Sequence, residues 1–134
     1  MPTIDKKKNV ILFIDDEKIC HTLVELIIPN FTDFKLVGAF DGEGAIELAA
    51  RYANSLCLVI SDVILPDMTG YDIFKTLKQN DKFAKLPFIF QTGLGSQEEE
   101  LKKNINEGVQ ILYKPYNQTD LLAAIDKACP KEER

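Results

Sequence analysis

The segment Leu56-Cys57-Leu58-Val59-Ile60-Ser61-Asp62-Val63-Ile64-Leu65-Pro66-Asp67-Met68-Thr69-Gly70 decides the fold. Its apolar run from Leu56 to Ile60 ends on an acid and then on turn residues, the signature of a short strand buried on both faces. Other apolar runs finish in a similar way. Val10 to Ile14 leads into Asp15-Asp16-Glu17, Pro87 to Gln91 leads into Thr92, and a last short stretch closes on Tyr113-Lys114-Pro115. In open parallel sheets, ligands sit just outside the carboxyl ends of the strands. If these strands are parallel, three carboxylates, a hydroxyl and an ammonium share one site.

Between the strands the apolar residues recur at helical spacing. Cys20, Leu23, Val24 and Ile27 mark one face of a first helix, which Pro29 is expected to stop. Phe34 to Phe40 is mixed in polarity, as an edge strand should be. A second helix carries Ala45, Leu48, Ala49 and Tyr52 inward, and a third aligns Gly70, Ile73, Phe74 and Leu77. Ser96-Gln97-Glu98-Glu99 reads as a capping box opening a fourth helix, with Leu101 and Ile105 as its only clear anchors. Val109 to Tyr113 makes a fifth strand. A fifth helix, capped by Asn117, carries Leu121, Leu122, Ile125 and Ala128. Five βα units imply an α/β fold, a parallel sheet with helices on both faces, because each crossover must be right-handed. Five strands fit the flavodoxin-like doubly wound order 2-1-3-4-5. That order sets Asp15, Asp16 and Asp62 side by side where the winding reverses. The expectation is one domain over residues 1–134, with its core at about 8–129 and short charged tails.

Composition narrows the function. The chain has 134 residues and a formal net charge of −5, and its pI is near 4.9. Such a balance argues against nucleic acid as the direct partner; Lys6-Lys7-Lys8 is a single basic cluster before the first strand. No apolar run reaches membrane-spanning length, and the first residues contain no secretory apolar region, so a cytoplasmic location is expected. Cys20, Cys57 and Cys129 lack any metal or disulfide spacing; Cys57 in an apolar strand and Cys20 on an apolar helix face read as small core residues. His21, the one histidine, falls off the apolar stripe and reads as a surface residue.

Taken singly, each candidate has an ordinary explanation. Asp15 or Asp16 could cap a helix, Asp62 and Asp67 could be turn residues, and Lys114 could be a surface lysine. Taken together at one end of a sheet, they call for chemistry. Clustered carboxylates repel one another, and a hard divalent cation removes that cost. Mg2+ suits a site with few carboxylates, several waters and a phosphate to share. Thr92 and Lys114 would then meet a phosphoryl group from the other side, leaving a carboxylate as the nucleophile.

These residues resemble the response-regulator receiver domain of two-component signalling, over essentially the whole chain. The matching pieces are Asp15-Asp16 after the first strand, Asp62 with Pro66 and Gly70 behind it, Thr92, and Lys114-Pro115. The resemblance implies that Asp62 accepts phosphate from a histidine kinase or a histidine phosphotransfer protein. It further implies Mg2+ held by Asp16 directly, Asp15 through water, Asp62, and the backbone carbonyl of Ile64, with Thr92 and Lys114 on the phosphate oxygens. It also implies a cis Lys114–Pro115 bond, and an output face on the fourth helix, fifth strand and fifth helix. The expected protein is a stand-alone signalling switch rather than an enzyme with a separate substrate, catalysing only its own phosphorylation and dephosphorylation.

The chain departs from the family pattern near its output. Ile111 stands where an aromatic ring is usual, Tyr113 lies next to the lysine instead, and Gln91 replaces the apolar residue that usually precedes the threonine. A receiver-like binding module indifferent to phosphorylation is therefore the alternative reading. A flavodoxin-type FMN carrier would need a Ser/Thr/Gly-rich loop where Asp15-Asp16-Glu17 stands. A two-carboxylate phosphatase would need an acid two residues after Asp62, where Ile64 stands.

Overall fold

The computed structural model describes residues 8–93 and 109–130. Its elements are β1 (Val10–Ile14), α1 (Lys18–Phe31), β2 (Lys35–Ala39), α2 (Gly42–Arg51), β3 (Leu56–Asp62), α3 (Gly70–Lys78), a 3-10 turn (Asp81–Phe83), β4 (Phe88–Thr92), β5 (Gln110–Tyr113) and α4 (Gln118–Ala128). The helix expected after Ser96 lies outside the described residues, so the helix expected as the fifth is α4 here. All neighbouring strands pair in parallel, in the order β2-β1-β3-β4-β5. The doubly wound sheet read from the sequence is the one found.

Period-two alternation explains why these strands read as unbroken apolar runs: both faces are covered. Val10, Leu12 and Ile14 of β1, with Phe88 and Phe90 of β4, pack with Ala45 and Ala49 of α2 and Ile73, Phe74 and Leu77 of α3. Ile11 and Phe13, with Leu58, Ile60 and Ile89, pack against Val24, Ile27 and Ile28 of α1 and Leu121 and Ile125 of α4. Capping follows the sequence at α4, where Asn117 and Asp120 form a reciprocal capping box, and Thr69 with Asp72 forms another at α3. No helix among the described residues is long and apolar enough to cross a membrane.

Helix α1 corrects the sequence reading in three ways. It continues through Pro29 to Phe31. Both Pro29 and Glu25 are exposed, so the hydrogen bond that Pro29 cannot donate is lost on the wet side of the helix, where water replaces it. Its buried face is His21, Val24, Ile27 and Ile28, while Leu23 is 44% exposed; the stripe is turned by about one residue from the one expected. The reason is His21, which is only 4% exposed rather than on the surface. Its Nε2 lies 2.8 Å from the Asp15 carbonyl oxygen, and its ring stacks on Phe40 and meets Phe13 edge-on. A buried polar group with a partner is tolerated where an unpartnered one is not, and Gly38 makes room, since a Cβ there would lie 2.7 Å from His21 Nδ1.

At the β3–α3 junction the chain runs too close to itself for a side chain. A Cβ on Gly70 would sit 2.4 Å from the Asp62 carbonyl oxygen and 2.9 Å from Ser61 Oγ. Backbone cannot yield as a flexible side chain can, so Gly70→Ala should destabilise the protein by about 1–3 kcal/mol, the usual cost of overpacking. The expected result is a lower urea midpoint with an unchanged slope.

Candidate functional site

The strand register brings the acidic residues together. Ile14 pairs with Ser61, Asp62 with Gln91, and Thr92 with Tyr113, so the residues that follow or end these strands crowd one rim of the sheet. Carboxylate oxygens of Asp15, Asp16 and Asp62 all lie within 4.8 Å of one another. They differ in exposure: Asp15 is fully buried, Asp62 half-buried and Asp16 exposed. The capping explanation of the pair fails, because the N-cap of α1 is Glu17, with no side-chain cap bond.

Lys114 faces this cluster. Its Nζ donates to Asp15 Oδ2 at 2.9 Å and to Asp62 Oδ2 at 3.3 Å. The Lys114 backbone N–H donates to the Thr92 carbonyl at 2.9 Å, which ties the lysine to the end of β4, where Thr92 is 2% exposed. The Lys114–Pro115 bond is cis, as expected. Burial alone would lower the Lys114 pKa, but the hydrogen bond to Asp15 and the charges of Asp62 and Asp15 hold the ammonium well above its ordinary value. Asp62 moves the other way for a carboxylic acid. Burial, then the Asp15 charge, outweigh Lys114 and push Asp62 from 3.8 to about 6.

Three residues have surroundings at the site that their sequence positions did not show. Gln91, fully buried, donates from Nε2 to Asp15 Oδ2 at 2.7 Å and accepts at Oε1 from the Tyr116 hydroxyl at 2.8 Å. Its signal was present as a polar residue ending an apolar run, yet its partners are distant in sequence. Asp67 accepts from the backbone N–H groups of Gly42 at 2.8 Å and Glu43 at 2.9 Å, which lowers its pKa and ties the loop after β3 to the start of α2. Within that loop, Ile64 bridges Thr69 and its side chain is 55% exposed. Cys20, at the edge of the site, is the third. Burial, then the Asp15 charge, raise its thiol to about 11, so it is inert as a nucleophile at neutral pH. Ile111 is half-buried against the α2–α3 side of the core, whereas Tyr113 is 44% exposed.

This donor set matches a hard cation. All three converging groups are oxygen anions, no histidine or thiolate is among them, and among the described residues one lysine, Lys114, pairs with them.

A family model for the response regulator receiver domain matches residues 11–126. The chain belongs to that family, the receivers of two-component signalling. Among curated relatives, it is 32% identical over 118 residues to a probable transcriptional regulator, ycf29, of Porphyra purpurea, covering 87% of this chain and 54% of the relative. The chain thus spans about half the length of that protein. Among solved structures, a response regulator receiver domain protein from Clostridium thermocellum superposes with a TM-score of 0.80 at 25% identity, covering 93% of this chain and 97% of that one. The chemotaxis response regulator CheY4 of Vibrio cholerae superposes with a TM-score of 0.80 at 23% identity, covering 90% of this chain and 98% of that one.

Because the folded state raises the Asp62 pKa, it binds that proton more tightly than the unfolded chain does. The ionised carboxylate therefore costs stability at every pH above about 6, and the cost vanishes as pH falls from about 6 through 3.8. At full strength the shift corresponds to roughly 3 kcal/mol, and solvent at this partly exposed group reduces it to ~1–2 kcal/mol. In EDTA, Asp62→Asn should melt higher than the unmodified receiver above pH 6, with the advantage lost on acidification.

Proposed function

We propose that this receiver takes a phosphoryl group onto Asp62 from the phosphohistidine of a histidine kinase or histidine phosphotransfer protein, and that the modification switches its binding to a downstream protein. The observation that carries this reading is the convergence of Asp15, Asp16 and Asp62 on Lys114, at the ends of strands that also carry Thr92. A carboxylate oxygen of Asp62 attacks phosphorus, the P–N bond of the donor breaks, and its electron pair stays on the imidazole, which takes up a proton. At about 6, the pKa of Asp62 leaves it mostly ionised at neutral pH, as a nucleophile must be.

Asp16 and Asp62 would hold Mg2+ directly, with the Ile64 carbonyl beside them. Asp15 would act through water: Oδ1 already accepts from the Glu17 N–H, and Oδ2 from Gln91 and Lys114. When bound, the ion neutralises phosphoryl oxygens. Lys114 turns from Asp62 Oδ2 to a phosphoryl oxygen, and Thr92 supplies a hydroxyl to another. The receiver is a switch, with its own phosphorylation and dephosphorylation as the only chemistry, carried on one unit with a core at about 8–129. Output runs through the segment read from the sequence as the fourth helix, through β5 and through α4.

Incubation with a small-molecule phosphodonor and Mg2+ should add one phosphate by intact mass, and EDTA or Asp62→Asn should prevent it. Full labelling of the Asp62→Asn protein would overturn the assignment. The lifetime of the acyl phosphate should be long, because the exposed Ile64 side chain, two residues past Asp62, offers attacking water no hydrogen bond. Ile64→Asn should speed phosphate loss, measured by the decay of the phosphorylated mass; an unchanged or slower rate would refute the water-access argument.

A further inference from the structure

We propose that Gln91 is a positioning residue for Asp15, tethered at its far end by Tyr116; this rests on the reading of Asp15 as part of the cation site. Gln91 is fully buried on β4, and both ends of its amide are engaged. A carboxylate can only accept, so the Asp15 Oδ2 at 2.7 Å selects the NH2 end. The carbonyl end must then face Tyr116, whose hydroxyl donates to it at 2.8 Å. With the amide reversed, two oxygens would oppose each other at Asp15. Tyr116 adds a second bond at the far end of the amide; a phenol can donate or accept, so the Asp15 carboxylate selects the orientation and Tyr116 tethers the side chain in place.

Two donors share Asp15 Oδ2, and they differ in kind. Lys114 reaches it from a long flexible side chain that also bridges to Asp62 at 3.3 Å. Gln91 reaches it from a fully buried position near the end of β4, where rotamers have little freedom. When Lys114 turns to a phosphoryl group on Asp62, Gln91 is the donor left on Oδ2, while the Glu17 N–H stays on Oδ1 at 2.9 Å. Asp15 therefore keeps its direction toward the cation at the moment its charged partner leaves. Tyr116 directly follows the cis Lys114–Pro115 bond, so one short segment delivers both the mobile donor and the tether of the fixed one.

Partners that orient a metal-binding carboxylate are typically worth tenfold or more in metal affinity. Mg2+ binding to the full chain, followed by calorimetry at neutral pH, tests the proposal. Gln91→Leu should weaken Mg2+ by about tenfold, and Tyr116→Phe, which deletes one hydroxyl, by about threefold. In the Gln91→Leu background, Tyr116→Phe should have no further effect, because the hydroxyl acts through the amide alone. The Gln91 side-chain NH2 resonances should also shift on Mg2+ addition in the unmodified protein. Tyr116→Phe keeps the test decisive if Gln91→Leu does not fold: affinity equal to that of the unmodified protein overturns the proposal. So do additive losses in the double variant, which a merely structural role would produce. Asp16→Ala separates the two levels. If it binds Mg2+ as tightly as the unmodified protein, or if that protein binds none, the cation-site reading itself fails. If it binds weakly while the Gln91 and Tyr116 variants bind normally, only the positioning role fails.

Discussion

The structure is organised around one buried anion, the carboxylate of Asp15. Every polar atom of this residue is engaged. Its N–H donates to the Ala39 carbonyl at 3.1 Å, its carbonyl oxygen faces His21 Nε2 at 2.8 Å, and its two carboxylate oxygens take Glu17, Gln91 and Lys114. Those partners come from β2, α1, β4 and the segment after β5. An ion removed from water costs several kcal/mol even after relaxation, on the order of what a small domain can spare. Only a full set of donors offsets that cost, so elements scattered along the chain must assemble for Asp15 to be buried at all.

The same cluster opposes folding in part. Asp62 lies beside Asp15 with one lysine shared between them, and its raised pKa records the strain. Functional sites concentrate such perturbations, because the charge that destabilises the resting protein is what a cation and a phosphoryl group relieve. The loop after β3 bears the mechanical side of this arrangement. Asp67 fastens it to the α2 N-terminus, and Gly70 lets α3 begin against the Asp62 carbonyl. Asp62 is thereby presented from a rigid edge while Ile64 beside it stays exposed.

Much of this was legible in order along the chain. Strand runs ending in Asp15-Asp16, Asp62, Thr92 and Lys114 stated both the parallel sheet and the residues at its rim, since a run buried on both faces can belong only to a covered sheet. The second, third and last helices kept the inward faces that their spacing predicts: Ala45 and Ala49, then Ile73, Phe74 and Leu77, then Leu121 and Ile125. Helix α1 did not. Its buried face depends on whether a histidine finds an acceptor, and the Asp15 carbonyl that serves it belongs to another element. Pro29, likewise, is compatible with a helix when its lost bond faces solvent, a condition no local pattern states.

Sequence by itself determined the sheet order and which acidic, hydroxyl and ammonium groups would share one end of it, because periodicity and right-handed crossovers are local rules with few solutions. Tertiary structure alone decided which of those groups is buried and who serves it. Gln91 reads as a polar residue at the end of an apolar strand and Tyr116 as an aromatic after a proline, with no hint that they bond each other and Asp15. Hydrogen-bond partners across 76 and 25 residues of chain are chosen by packing, and packing exists only once the strands are side by side.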